Sequence, residues 1–194
     1  MAAPAPAASS VAVFLRAALV VAVLSVAVSA LGCSGQTGAI DTDHVVAAGP
    51  GDKLTAGTAY CVDLDGDIHL ESIMIDEATG ALTIGDGDTV YHSRGKWRVA
   101  EACLGDTDGN GLVEVVTLLD ADDGRRLGLF AHFGGEYRER LVTSILTPRP
   151  LSLRILPGDL LELTEEPLPG QSGPQTTIYR WNGFGFTVVD SAAP

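Results

Sequence analysis

The chain has 194 residues, and its 25 acidic side chains outnumber its 12 basic ones, which gives a formal net charge of −13 at pH 7. Nucleic acid and anionic lipid headgroups repel a protein of this charge, so a DNA-binding or RNA-binding role is not expected. The length is sufficient for one domain with a full hydrophobic core. An excess of acidic side chains also fits the binding of cations.

Residues 1–32 have the composition of a secretion signal, because they contain no acid, a single base (Arg16) and a long run of small and apolar residues. The segment ends in Leu31-Gly32-Cys33, which resembles the lipobox of bacterial lipoproteins. The resemblance implies that Cys33 is lipidated and that the protein is anchored in the cell envelope, on the extracytoplasmic side and in the outer membrane if the host is Gram-negative. Ordinary signal cleavage and a retained membrane anchor are the alternatives.

Residues 33–52 mix Gly, Thr, Asp and Pro without a period, which predicts a flexible tether, and the folded body is expected to occupy residues 53–194. No segment of that body has a sustained 3.6-residue apolar period, so few or no helices are expected. Cysteines in an oxidising compartment are commonly paired. A disulfide between Cys61 and Cys103 is therefore expected, and two buried free thiols are the alternative.

Two acidic loops of the same form lie in this body, the first at residues 63–71 and the second at residues 106–114. Each has an acid or amide at positions 1, 3 and 5, glycine at position 4 and glutamate at position 9. A glycine that adopts positive φ allows alternate side chains to converge, and converging hard oxygens are what calcium requires. The predicted calcium ligands are Asp63, Asp65, Asp67 and Glu71 in the first acidic loop, and Asp106, Asp108, Asn110 and Glu114 in the second.

The two acidic loops do not match the EF-hand, which is another calcium-binding loop. An EF-hand requires glutamate at position 12, where this chain has Met74 and Thr117, and it requires flanking helices. Ordinary exposed turns remain the alternative. Position 6 is Gly111 in the second acidic loop and Ile68 in the first, and a β-branched residue disfavours positive φ. The first acidic loop is therefore expected to be the weaker site.

Short apolar runs at residues 72–75 and 115–119 follow the two acidic loops and predict buried strands. Hairpins with glycine turns and aromatic residues are predicted at residues 89–99, 127–137 and 178–186. In the last of them Asn182-Gly183 predicts a type I′ turn. The acidic loops begin 43 residues apart, at 63 and 106. A repeat of short strands at this spacing indicates a β-propeller or a related array, in which the third repeat has a single acid, Asp159.

Loops of the form D-x-D-G-[DN]-x-x-x-[DE] that lead into a Val/Ile strand resemble the FG-GAP and VCBS repeats. In that family such loops bind calcium in the β-propeller blades of integrin-like and bacterial surface proteins. The resemblance covers roughly residues 60–190, with two well-matched repeats and one degenerate repeat. It implies an all-β fold of repeated short antiparallel sheets in a small or incomplete propeller. Because closed propellers have at least about four blades, a β-sandwich is the alternative.

The expected function is that of a non-catalytic binding or structural module for a protein or glycan partner, with calcium ordering its loops. No serine, cysteine or histidine lies in a context typical of a catalytic nucleophile or a zinc site. The alternative is an enzyme, or an enzyme accessory, that acts on envelope polysaccharide. Its sugar would stack on the aromatic side chains Trp97, Trp181, Tyr179 and Phe184. A cleft with convergent carboxylates of raised pKa would favour the enzyme.

Overall fold

The structure is a computed structural model that describes residues 45–192, with the backbone alone for residues 190–192. The described residues are all-β, as the sequence predicts. They contain fourteen strands. None of the described residues lies in a helix that is long and apolar enough to cross a membrane. The strands in chain order are β1 (Val45–Ala47), β2 (Lys53–Leu54), β3 (Ala59–Val62), β4 (Glu71–Ile75), β5 (Leu82–Asp86), β6 (Thr89–His92), β7 (Arg98–Gly105), β8 (Glu114–Ala121), β9 (Gly124–His132), β10 (Tyr137–Val142), β11 (Pro150–Leu156), β12 (Leu160–Glu165), β13 (Gln175–Trp181) and β14 (Phe186–Ala192).

These strands form three sheets, and each sheet is built around a four-stranded antiparallel meander. The first sheet has the order β1-β3-β4-β5-β6, the second has the order β10-β9-β8-β7-β2, and the third has the order β11-β12-β13-β14. β1 is parallel to β3, and β2 is antiparallel to β7, so each adds one strand to a meander. None of the three sheets closes into a barrel.

The second sheet packs against both of the others. In β8, Val115 and Leu119 belong to the hydrophobic core shared with the first sheet. Val116 and Leu118 of the same strand belong to the core shared with the third sheet. All four are 0% exposed, and each such burial stabilises the fold by about 1.5–3 kcal/mol. Burial on both faces explains why this strand is almost wholly apolar. The layered arrangement is consistent with a sandwich-like fold or an incomplete propeller.

The first connection of each meander lies at one edge of the array, which we call the loop rim. The first acidic loop joins β3 to β4, the second joins β7 to β8, and residues 157–159 join β11 to β12. Neighbouring connections touch each other. A Cβ atom on Gly66 would lie 2.8 Å from Leu112 Cδ2, and one on Gly109 would lie 3.3 Å from Asp159 Oδ2. The two acidic loops are therefore neighbours along the rim.

The predicted start of the folded body and one predicted hairpin differ from the structure. The described fold includes strand β1, so the folded body begins by Val45 rather than at Lys53, and the predicted tether 33–52 is partly in the sheet. The amide of Gly51 also donates to the carbonyl oxygen of Leu104 at 2.7 Å. Residues 89–99 do not form a hairpin, because β6 and β7 belong to different sheets. Polar, glycine-containing sequence marks both hairpin turns and connections between sheets, so the pattern does not separate them. Residues 1–32 and Cys33 lie outside the described residues.

The two other predicted hairpins are present as β9–β10 and β13–β14. The turn at Asn182-Gly183 is not type I′, because Gly183 has φ 97° whereas Asn182 does not have positive φ. The Asn182 side chain instead caps a four-residue loop. Its Oδ1 accepts hydrogen bonds from the amides of Phe184 at 3.0 Å and Gly185 at 3.1 Å.

The predicted disulfide between Cys61 and Cys103 is absent. Cys103 is a free thiol, 1% exposed, in the core between the second and third sheets, and burial raises its pKa to about 11. Cys61 lies in β3 of the first sheet and is disulfide-bonded. Because Cys103 is a free thiol, it is not the partner of Cys61. Cys61 and Cys103 each lie shortly before an acidic loop, but they belong to different sheets. In its core, Cys103 packs as a small hydrophobic residue.

Candidate metal centre

The first acidic loop brings together three of its four predicted ligands. One carboxylate oxygen from each of Asp63, Asp65 and Glu71 lies within 4.8 Å of the others. The carboxylate of Asp63 holds the loop in this shape, because it accepts the amides of Gly66 at 2.7 Å and Ile68 at 3.1 Å. Two oxygens that each lie about 2.4 Å from a calcium ion are at most about 4.8 Å apart. The three oxygens of this cluster are therefore close enough together to hold a single metal ion.

The second acidic loop has the same geometry. One carboxylate oxygen from each of Asp106, Asp108 and Glu114 lies within 4.8 Å of the others. The carboxylate of Asp106 accepts the amides of Gly109 and Gly111, both at 2.8 Å, which are the same loop positions that Asp63 holds in the first loop. The two loops thus share one backbone design, built around the acid at position 1.

The side chains at position 5 are engaged within their own loops. The carboxylate of Asp67 accepts the amide of His69 at 2.8 Å, and this hydrogen bond lowers the pKa of Asp67. Asp67 does not belong to the cluster of the first acidic loop, and its side chain is 55% exposed. The Oδ1 atom of Asn110 likewise accepts the amide of Leu112 at 2.7 Å. Asp67 is therefore the one predicted carboxylate ligand that lies outside the two observed clusters.

Position 6 adopts the same backbone conformation in both loops. Gly111 has φ 86° and Ile68 has φ 72°, so isoleucine does take the left-handed conformation. This conformation costs a non-glycine residue about 1–2 kcal/mol. The Ile68 side chain is 86% exposed, so no packing of that side chain accounts for the strain. Strain of this size persists where neighbouring contacts dictate the conformation, as the hydrogen bond from the Ile68 amide to Asp63 does here.

Glu71 lacks the partners that a buried carboxylate requires. Glu71 is 1% exposed, and its Oε2 accepts a hydrogen bond from the amide of Leu64 at 2.5 Å. Its Oε1 has no hydrogen-bond partner of good geometry among the described residues. Burial raises the pKa of Glu71 to about 7, and the charges of Asp65, Asp86 and Asp63 act in the same direction. A carboxylate in these surroundings is stabilised either by a proton or by a cation.

Tyr137, the first residue of β10, lies close to Glu71, and the sequence did not predict it as part of the site. Its hydroxyl is buried and has no hydrogen-bond partner of good geometry, and burial together with the charge of Glu71 raises its pKa. Tyr137 and Glu71 belong to the second and first sheets, so the cluster lies where these sheets meet. No local sequence signal links a tyrosine on one sheet to a loop on another.

In contrast to Glu71, Glu114 has hydrogen-bond partners for both of its carboxylate oxygens. Its Oε2 accepts the amide of Thr107 at 2.9 Å and also the Thr107 hydroxyl. Its Oε1 accepts a hydrogen bond from Arg140 Nη1 at 3.0 Å, and the same nitrogen lies 2.5 Å from Asp108 Oδ2. Burial raises the pKa of Glu114, while its bonds to Thr107 and the charge of Arg140 act in the opposite direction. Arg140 is on β10, and no local sequence signal points to it.

A surface cavity of about 640 Å³ is lined by Trp97, Lys96, Asp120 and Asp123, among others. Two of its carboxylates, those of Asp120 and Asp123, have a lowered pKa, whereas a general acid needs a raised one. Ion pairs with Arg125 and Arg126 lower the pKa of Asp120 and Asp123 respectively.

The four aromatic residues proposed as a sugar platform do not share one surface. Trp97 is 6% exposed and lies in the core between the first and second sheets. Tyr179 and Trp181 pack on the other core. Phe184 is 92% exposed in the β13–β14 connection.

Comparison of the chain with protein-family models, with curated proteins and with solved structures gives no match.

Proposed function

We propose that this chain is a cell-envelope lipoprotein with calcium-binding β-repeat loops of the FG-GAP/VCBS type. Its array of sheets serves as a non-catalytic binding or structural module for a protein or glycan partner. The observation that supports calcium binding best is the buried Oε1 of Glu71, which belongs to the cluster with Asp63 and Asp65 and has no hydrogen-bond partner of good geometry among the described residues, Tyr137 included. The first acidic loop is the calcium site in this proposal.

Calcium suits this site better than a proton does. With a pKa of about 7, Glu71 is only half protonated at neutral pH, so a proton leaves much of the buried charge without a partner. Extracellular calcium modules bind with a Kd of about 0.1–1 mM, which matches the calcium concentrations outside cells. The donor set contains only oxygen atoms, as calcium prefers, and main-chain carbonyls and water would complete the coordination.

The loop rim is the surface that we assign to the partner. Because consecutive strands of each meander are antiparallel, the β9–β10 and β13–β14 connections lie at the same end of their sheets as the acidic loops. Three apolar side chains are exposed in these connections and in the first acidic loop, namely Ile68 at 86%, Phe133 at 52% and Phe184 at 92%. Calcium bound in the first acidic loop would order the part of the rim that carries Ile68.

The lipid anchor has its own test, because Cys33 lies outside the described residues. Lipidation consumes the Cys33 thiol and adds the mass of acyl chains to the mature protein. Non-reducing intact mass of the membrane fraction therefore distinguishes a lipidated chain from an unlipidated one. The proposal predicts a mature chain that begins at Cys33 with the added mass of acyl chains, and loss of both in Cys33→Ala. A chain without acyl mass would contradict the anchor.

Titration calorimetry of the mature protein tests calcium binding. We expect a calcium-binding heat in the wild type and in Asp106→Asn, and its loss in Asp63→Asn, because only the first cluster lacks a cation. If the wild type gives no calcium heat, both acidic loops are ordinary turns and the proposed function fails.

A further inference from the structure

We infer that Arg140 is the resident cation of the second acidic loop, so that a guanidinium closes this loop and calcium is excluded from it. The inference uses the proposed function in one respect, because it takes the second acidic loop to have the backbone of a calcium loop. The proposed function assigns the metal to the first acidic loop, and the inference concerns the cluster beside it.

Arg140 pairs with two of the three carboxylates of the second cluster. The Arg140 Nη1 atom lies 2.5 Å from Asp108 Oδ2 and 3.0 Å from Glu114 Oε1. The side chains of Arg140, Asp108 and Glu114 are 18%, 6% and 1% exposed, so the ion pairs are shielded from water. A calcium ion would need these oxygens at about 2.3–2.6 Å. Arg140 and calcium therefore compete for the same two carboxylates.

Contacts outside the cluster hold the guanidinium in place. Its central carbon lies 5.0 Å from the ring centroid of Trp181 on the third sheet and 5.4 Å from that of Phe133. Such cation–π contacts favour a desolvated arginine. A calcium ion in this loop would have to displace Arg140 from two carboxylates and from these two rings. In the described part of the chain, no ion pair involves Asp63, Asp65 or Glu71, so nothing comparable protects the first cluster.

Native mass spectrometry with calcium as the probe counts the ions bound to each variant. We expect one calcium ion on the wild type and two on Arg140→Met, because removal of the guanidinium frees the second cluster for metal. Arg138→Met is the matched control. It removes a neighbouring arginine that lies 4.6 Å from the Phe133 ring and pairs with Glu136, and it should leave the count at one. The same count on Arg140→Met as on the wild type would overturn the inference.

The Asp106→Asn and Arg140→Met variants keep the inference separate from the proposed function. If the wild type binds two ions and Asp106→Asn loses one, calcium displaces Arg140 and the inference fails while the proposed function stands. If the wild type binds no ion and Arg140→Met binds one, the proposed function fails and the inference stands. Should Arg140→Met not fold, Asp106→Asn in the wild-type background decides. An unchanged count supports the inference, and a lost ion overturns it.

Discussion

The two acidic loops have the same backbone and differ in what neutralises the glutamate at position 9. In the first acidic loop, Glu71 Oε1 has no hydrogen-bond partner and lies beside other acids. In the second, Glu114 accepts hydrogen bonds from Thr107 and Arg140. The loop motif sets the shape of both clusters, but a residue from a distant strand, Arg140, pairs with the second cluster alone. Matching loop sequences therefore do not imply matching sites.

This comparison reverses the order expected from the sequence. Ile68 at position 6 was expected to make the first acidic loop the weaker site, yet Ile68 and Gly111 have similar positive φ angles. Position 6 therefore has a similar φ angle in both loops, and the loops differ there only in the strain that Ile68 carries. Because the second cluster already has a cation, we now propose that the first acidic loop is the stronger calcium site.

The largest expected effect is a pH dependence that belongs to the first acidic loop. Glu71 has a folded-state pKa of about 7, against 4.5 for an ordinary glutamate, so the folded protein holds a proton that the unfolded chain releases. This stabilisation is full below pH 4.5 and is lost as pH rises through 7, by on the order of 3 kcal/mol. Chemical denaturation of the calcium-free protein across this range measures it. Glu71→Gln should flatten the profile, and an unchanged profile in that variant would contradict the assignment to Glu71.

Removing the charge at position 9 should have opposite effects in the two loops. At pH 8 without calcium, Glu71→Gln should stabilise the fold by about 2 kcal/mol, because it removes an unpaired buried charge. Glu114→Gln should destabilise it by about 2–3 kcal/mol, because it breaks the buried pair with Arg140. Equilibrium denaturation of both variants provides the measurement. Changes of the same sign would show that the two carboxylates have equivalent surroundings.

Calcium should stabilise the protein through the first acidic loop alone. With a Kd of about 0.1 mM, a calcium concentration of about 1 mM adds about 1.4 kcal/mol to the free energy of unfolding. The melting temperature should then rise by about 3–5 °C. Thermal melts should show this shift in Asp106→Asn as in the wild type, and no shift in Asp63→Asn. The reverse pattern would place the ion in the second acidic loop.

The smallest expected effect concerns position 6. Ile68→Gly should stabilise the calcium-free protein by about 0.5 kcal/mol, since relief of strain exceeds the added entropy of the unfolded chain. Gly111→Ala should destabilise it by about 1 kcal/mol, because φ is 86° although a Cβ would contact nothing within 4 Å. Denaturant titration resolves both values. Destabilisation by Ile68→Gly would mean that the isoleucine side chain has a packing role.

Local patterns predicted much of the fold. The strands that follow the acidic loops were predicted because β4 and β8 are short and apolar, and two of three hairpins were predicted from their glycine turns. The missing parts depend on contacts between sheets. The stacking of the three meanders determines whether Gly95 lies in a hairpin or between sheets. It also determines whether Cys61 and Cys103 meet.

The candidate site shows the same limit. The converging acids follow from loop spacing, because each loop is a local structure held by its own hydrogen bonds. Tyr137 and Arg140 lie on β10, far along the chain from Glu71, and they approach the acidic loops only when the sheets pack. The sequence could therefore identify two clusters, but it could not show that only one of them lacks a cation.

Anomalous X-ray diffraction from crystals grown with calcium tests the central claim most directly, because it locates each ion. The account predicts one calcium peak coordinated by Asp63, Asp65 and Glu71, with Arg140 still paired to Asp108 and Glu114. A peak among Asp106, Asp108 and Glu114, with Arg140 displaced, would contradict it, and so would the lack of any peak in the first acidic loop.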